Sequence, residues 1–134
     1  MASKIIIAED DQFVAKAMTT KLIKEGYEVK TVPDGVQLME ILKSYIPDLI
    51  ILDLLMPKKD GFEVLNEVKQ DQKLKKIPIL IASNLGQVND IQQVLKLGAT
   101  DYIIKSEFTL EGLVQKIKNI LKWKMLLSKC ANLR

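Results

Sequence analysis

The sequence contains no histidine. That absence removes Ser-His-Asp catalysis, Cys-His catalysis and histidine-ligated metals together. Cysteine is almost as scarce, with Cys130 alone. One thiol excludes an internal disulfide framework and a cysteine-rich zinc site. Long apolar runs are missing too. The longest, such as Ile5–Ala8 and Leu49–Leu52, hold four residues, against about 20 for a membrane span. The amino terminus, MASKIIIAEDD, meets acids at once and has no apolar segment followed by a small-residue cleavage site. No secretory signal and no membrane association are therefore expected, and the expected compartment is the cytoplasm. Any chemistry falls to carboxylates, hydroxyls, lysine or main chain.

What is present is enough for one domain. The chain has 134 residues, 48% hydrophobic and 28% charged, so it can bury a core and stay soluble. The formal net charge is +3. Lysines gather at Lys73, Lys75 and Lys76, and again at Lys116, Lys118, Lys122 and Lys124. Nucleic-acid binding would want such excess on one face. Solvated helix faces and loops explain it more simply, and direct nucleic-acid binding is not expected.

The chain alternates between two periods. Continuous apolar runs read as buried parallel strands at Lys4–Ala8, Asp48–Leu52 and Ile77–Ala82. Tyr27–Val32 is less hydrophobic and reads as an edge strand, and Asp101–Lys105 is a fifth. Between them lie helical spacings: Asp11–Lys24 with Phe13, Val14, Ala17, Met18, Leu22 and Ile23; a helix capped by Asp34 and ended before Pro47; one beginning at Phe62 after the turn Lys58–Gly61; Val88–Leu97; and a last one from about Thr109. Gly26 and Gly98 supply stops. Five strands alternating with five helices predict a parallel α/β sheet covered on both faces, doubly wound and flavodoxin-like.

In such folds ligands bind at the carboxyl ends of the strands. Glu9 and Asp10 follow the first strand, Asp53 ends the third, Ser83 follows the fourth and Lys105 ends the fifth. Three carboxylates brought together call for a counter-charge. A hard divalent cation such as Mg²⁺ supplies it through oxygen ligands. A metal, a carboxylate nucleophile, a lysine and a hydroxyl are the parts for phosphoryl transfer to aspartate. Each residue also has a plainer use. Aspartates at strand ends are commonly caps or turn residues, and Ser83 could cap the next helix. Asp11 reads as the start of the first helix.

The pieces IIIAEDD (Ile5–Asp11), DLIILDLLMPKKDG (Asp48–Gly61), ILIAS (Ile79–Ser83) and GATDYIIK (Gly98–Lys105) together resemble the receiver domain of bacterial two-component response regulators, in order, over residues 4 to about 122. The resemblance implies a strand order of 2-1-3-4-5. It also implies that Asp53 is the phosphoacceptor, and that Glu9, Asp10, Asp53 and the main-chain carbonyl of Leu55 hold Mg²⁺. Ser83 would engage the phosphoryl group and Lys105 pair with it. Tyr102 would turn inward as Ser83 moves, although an aromatic on a strand is commonly just core. The readout would be a surface of the fourth helix, fifth strand and fifth helix. The implied partners are a sensor histidine kinase or phosphotransfer protein, and a downstream protein target or an output domain. The chain would be a regulatory switch rather than a turnover enzyme. Two other readings stand beside it: a pseudo-receiver that binds partners without phosphorylation, and an aspartate-nucleophile phosphatase. The latter wants a second aspartate where Leu55 stands.

Three departures from the family pattern matter, one of them that no output domain is expected after the receiver domain. Lys105 is followed by Ser106 where the family has a cis proline, so either a trans loop or tolerated strain is expected there. Leu55 and Leu85, two residues after Asp53 and Ser83, should exclude hydrolytic water and predict slow self-dephosphorylation. Residues 1–123 read as the receiver domain and 124–134 as a helix extension or tail. Continued to residue 128, the last helix would overshoot a sheet about 17 Å deep. Trp123, Leu126 and Leu127 would then be either folded back over the core, a homodimer contact, or the start of a linker. A homodimer through the fourth helix, fifth strand and fifth helix is a further possibility.

Overall fold

The computed structural model describes residues 2–84 and 88–132. Five strands and five helices alternate: β1 (Lys4–Ala8), α1 (Gln12–Lys24), β2 (Glu28–Val32), α2 (Gly35–Ile41), β3 (Leu49–Leu52), α3 (Gly61–Gln70), β4 (Ile79–Ser83), α4 (Val88–Lys96), β5 (Asp101–Ile104) and α5 (Leu110–Asn132). All strands pair in parallel, in the order β2-β1-β3-β4-β5. This is the doubly wound sheet expected, with the polar β2 at an edge.

The core follows from the period of two in buried strands. Ile6, Ala8, Ile50, Leu52, Ile79 and Ile81 face one side and pack with Leu38 of α2, Val64, Leu65 and Val68 of α3, and Val94 of α4. Ile5, Ile7, Leu49, Ile51, Leu80 and Ala82 face the other and pack with Met18 and Leu22 of α1 and with Leu113, Val114 and Ile117 of α5. Burial on both faces is why these strands read as unbroken apolar runs.

Several element ends differ from expectation. Tyr27 lies outside β2 because its N–H returns to Leu22 O at the end of α1. β4 starts at Ile79 because the Ile77 N–H closes a local turn on Leu74 O and Pro78 has no N–H to give. Ser83 is the last residue of β4 rather than the first beyond it. Phe13 has helical spacing but is 89% exposed, and Val36 is exposed too. Asp11 caps α1 as expected, its carboxylate accepting from the Phe13 and Val14 N–H groups at 2.9 and 3.3 Å. The alternative of a tail folded back over the core is corrected: α5 continues as one helix through 23 residues to Asn132. No proline or glycine follows Gly112 to stop it.

Candidate functional site at the carboxyl edge of the sheet

The sheet ladder itself delivers the polar residues. Beyond the strand ends, the Glu9 N–H donates to Val32 O, the Asp53 N–H to Ala8 O and the Lys105 N–H to Ser83 O, each at 3.0 Å. Main-chain register thus brings β1, β3 and β5 to one edge with their next side chains converging. Carboxylate oxygens of Glu9, Asp10 and Asp53 lie within 4.8 Å of one another. Asp10 is exposed, whereas Glu9 and Asp53 are 3% and 4% exposed.

Lys105 reaches across this cluster. Its Nζ donates to Glu9 Oε1 and, at 2.9 Å, to Asp53 Oδ2. The other oxygen of Asp53, Oδ1, accepts from the Leu55 N–H at 3.1 Å. Glu9 Oε2 and Ser83 Oγ are buried with no hydrogen-bond partner, as is Thr19 Oγ1 away on α1. Such groups are costly and uncommon in folded proteins.

The electrostatics follow from this crowding. Burial, helped by the Asp53 carboxylate, pushes the Glu9 carboxyl up to about 8 from an ordinary 4.5, against the pull of Lys105. For Lys105, burial pulls the ammonium down. Its hydrogen bonds to Glu9 and Asp53 outweigh that and hold it above its ordinary value. One ammonium cannot balance three carboxylates, and the crowding favours the protonated form of Glu9. An all-oxygen donor set with an unpartnered buried oxygen fits a hard divalent cation of the Mg²⁺ kind.

The loop after Asp53 is clamped from two sides. A Cβ on Gly61, at the start of α3, would sit 2.6 Å from Leu54 Cα and as close to the Asp53 carbonyl. A Cβ on Gly35, at the start of α2, would collide with the Lys59 carbonyl. Between them Lys58 has φ 68°, the left-handed region, as no other non-glycine residue does among those described. Its Nζ lies 3.6 Å from Asp34 Oδ2. Asp34 is itself buried, and its Oδ1 caps α2 by accepting from the Gln37 N–H at 2.8 Å. Sequence reasoning saw Asp34 only as a cap and missed this clamp. The repeated Asp-Gly at the starts of α2 and α3 was the available signal.

Of the remaining expected residues, Leu55 carries its side chain outward, 67% exposed. Leu85 falls outside the described residues. Tyr102 is half-buried against the α2–α3–α4 side of the core, with Lys116 Nζ 5.9 Å from its ring centre. Every peptide bond among the described residues is trans, so Lys105–Ser106 takes the trans loop of the two outcomes expected.

Comparison with known proteins gives this architecture a family. The profile of the response regulator receiver domain matches residues 5–118. The DNA-binding dual master transcriptional regulator RpaA of Synechocystis is 34% identical over 119 residues, 89% of this chain and 49% of its own length. The solved structure of the phosphorylated cyanobacterial phytochrome response regulator RcpA is 36% identical, with a TM-score of 0.79 over 93% of this chain and 95% of that one. The signal receiver domain of a signal transduction histidine kinase from Syntrophus aciditrophicus is 31% identical, with a TM-score of 0.84 over 90% and 91%. The chain belongs to the response regulator receiver domains of two-component systems, a regulatory family. It spans about half the length of the curated relatives it matches. No helix among the described residues is long and apolar enough to cross a membrane.

Proposed function

We propose that this chain is a phosphoacceptor switch, with Asp53 taking a phosphoryl group from the phosphohistidine of a sensor kinase or phosphotransfer protein. The observation that carries this reading is the ion pair of Lys105 with the buried Asp53 inside the acidic cluster. An Asp53 carboxylate oxygen attacks phosphorus, the P–O bond forms, and the P–N bond to the donor imidazole breaks. There is little covalent work for the protein beyond positioning and charge stabilisation.

Each neighbour has a part in that work. Lys105 orients Asp53 and then pairs with the added phosphoryl charge. The unpartnered Ser83 hydroxyl is free to donate to a phosphoryl oxygen. Glu9, Asp10, Asp53 and the Leu55 carbonyl would hold Mg²⁺, which when bound neutralises charge on the transferring group. Glu9 would hold that cation as the carboxylate, so binding would favour its deprotonated form. Movement of Ser83 toward the phosphoryl group, with Tyr102 following, would bias the surface of α4, β5 and α5 between two states.

The test is intact mass after incubation with acetyl phosphate and Mg²⁺. One phosphoryl adduct is expected, lost in Asp53→Asn and without Mg²⁺. No adduct, with acetyl phosphate and with a phosphorylated histidine kinase domain alike, would overturn the reading and leave a phosphorylation-independent binding module.

A further inference from the structure

The clearest feature outside the acidic edge is the far end of α5. At about 1.5 Å per residue its 23 residues extend roughly 34 Å, twice the depth of the sheet. Leu113, Val114, Ile117 and Ile120 bury one side of it in the core. Beyond them a second apolar stripe begins. Trp123 is 65% exposed, Leu126 42% and Leu127 66%. At 3.6 residues per turn these three fall within about 100° of one another, and roughly 120° round the helix from the core-facing side. The domain's own packing therefore does not reach them.

Charge narrows what could cover this stripe. α5 carries Lys116, Lys118, Lys122, Lys124 and Lys129, and after Glu111 in its first turn it carries no acid. Three of the lysines are tied down within the domain. Lys116 pairs with Asp101 at 2.9 Å, Lys124 with Asp48 at 3.5 Å and Lys118 with Glu25 at 3.9 Å. Lys122 and Lys129 are exposed, form no ion pair among the described residues, and flank the stripe along one side. A second copy laid on this stripe would bring like charges together with no carboxylate at this end of either helix to offset them, which costs affinity. Its few apolar anchors also fall well short of the roughly 800 Å² per partner of an ordinary stable interface. A lipid surface would satisfy the charge. However, three anchors over little more than one turn are a small apolar payload for holding a whole domain in a membrane interface. They match instead the i, i+3, i+4 footprint of a helix seated in a groove.

We propose that the Trp123–Lys129 end of α5 is a docking helix for an acidic protein partner, one that offers an apolar groove edged with carboxylates. The three apolar side chains seat in the groove, and Lys122 and Lys129 meet its acidic rim. This surface is separate from the phosphoryl-transfer edge, so the proposal and the proposed function can fail independently.

Trp123 is the only tryptophan of the chain, so its fluorescence reports the stripe directly. The probe is a synthetic helical-hairpin peptide whose two helices form a leucine-lined groove bordered by glutamates, titrated into the full chain. The expected result is a saturable blue shift of Trp123 emission, weakened about tenfold between 50 and 500 mM salt. Lys122→Glu with Lys129→Glu should weaken it at least as much while leaving the circular dichroism and the phosphoryl adduct unchanged. A peptide with lysines in place of the glutamates should not bind. Three results would overturn the proposal. One is equal binding of both peptides, or of neither. Another is a blue shift that rises with protein concentration alone, alongside a dimer in sedimentation. The third is a shift with phosphatidylserine vesicles but not with the acidic peptide.

Discussion

At the amino-terminal edge of the sheet, side chains tie up main-chain groups; at the carboxyl edge, two buried oxygens are left without partners. Lys69 of α3 donates to the carbonyls of Lys75 and Ile77 at 3.1 and 2.8 Å. Thr100 Oγ1 accepts from the Ile79 N–H at 3.2 Å, and Asp48 accepts from the Lys4 N–H at 2.7 Å. Opposite them, Glu9 Oε2 and Ser83 Oγ stay unsatisfied, and burial pushes the Glu9 carboxyl up to about 8. The same strands thus run from an edge arranged for stability to one that gives stability up. Thr19 Oγ1, midway along α1, is also buried without a partner, but only at the carboxyl edge do such oxygens lie among acids and a lysine, as a site for a cation and an anion requires.

The largest break in that contrast should come from Gly61→Ala. The added methyl would meet main-chain atoms of Asp53 and Leu54, not flexible side-chain ends. We expect a loss of about 3 kcal/mol in urea unfolding, together with a sharp fall in the phosphoryl adduct, because the clash displaces Asp53 itself. Normal phosphorylation in a destabilised Gly61→Ala would mean that the loop tolerates the shift and is not a precise support.

Next in size is the pH response of the metal-free protein. The folded-state Glu9 carboxyl is raised to about 8 from 4.5, chiefly by burial. The native state therefore holds a proton that the unfolded chain has released, between about pH 4.5 and 8. Stability from this group is full below the lower value and lost as pH rises through the upper one. We expect the unfolding free energy to drop by about 2 kcal/mol from pH 5 to 7. Glu9→Gln should flatten that slope, and so should saturating Mg²⁺. A slope unchanged by Glu9→Gln would place the proton elsewhere in the cluster.

At the opposite edge, Lys69→Met should cost about 1.5 kcal/mol by leaving two carbonyls short of a donor. The rate of phosphoryl adduct formation should not move. A matching loss of phosphorylation would show that the two edges are coupled through α3, and the division drawn above would fail.

Much of this was legible in the sequence because strand ends are abrupt. Ile5–Ala8 and Leu49–Leu52 are closed by acids, and a parallel sheet aligns its carboxyl ends, so Glu9, Asp10, Asp53 and Lys105 could be placed at one edge before any coordinates. Asp11 was legible as a cap for the same local reason. What stayed hidden depends on tertiary contact. Phe13 fits the helical period, but in the first turn of α1 nothing local says which way the helix is rotated onto the sheet, and it faces out. The clamp of Gly35 and Asp34 on Lys58 and Lys59 joins elements more than 20 residues apart; the repeated Asp-Gly marks two tight helix starts but not what they face. The raised Glu9 is a product of burial, which its position after a strand suggests but does not measure. α5 ran past the sheet because nothing stops it, yet sequence alone left open whether its end folds back.

The smallest expected effect tests a detail of the loop. Leu55 donates its N–H to Asp53 Oδ1 at 3.1 Å while its side chain stands 67% exposed. A hydrolytic water approaching a phosphorylated Asp53 would find there an apolar group with nothing to accept or donate. Asparagine in its place could hold that water by a hydrogen bond and leave the main-chain contact to Asp53 intact. Leu55→Asn should therefore speed loss of the phosphoryl adduct severalfold. Stability should change by no more than about 0.5 kcal/mol, as is usual for an exposed loop position. The comparison needs only the decay of the adduct by intact mass after acetyl phosphate is removed. Equal half-lives would show that water reaches the phosphoryl group by a route Leu55 does not guard, and that slow turnover, if present, has another cause at this edge.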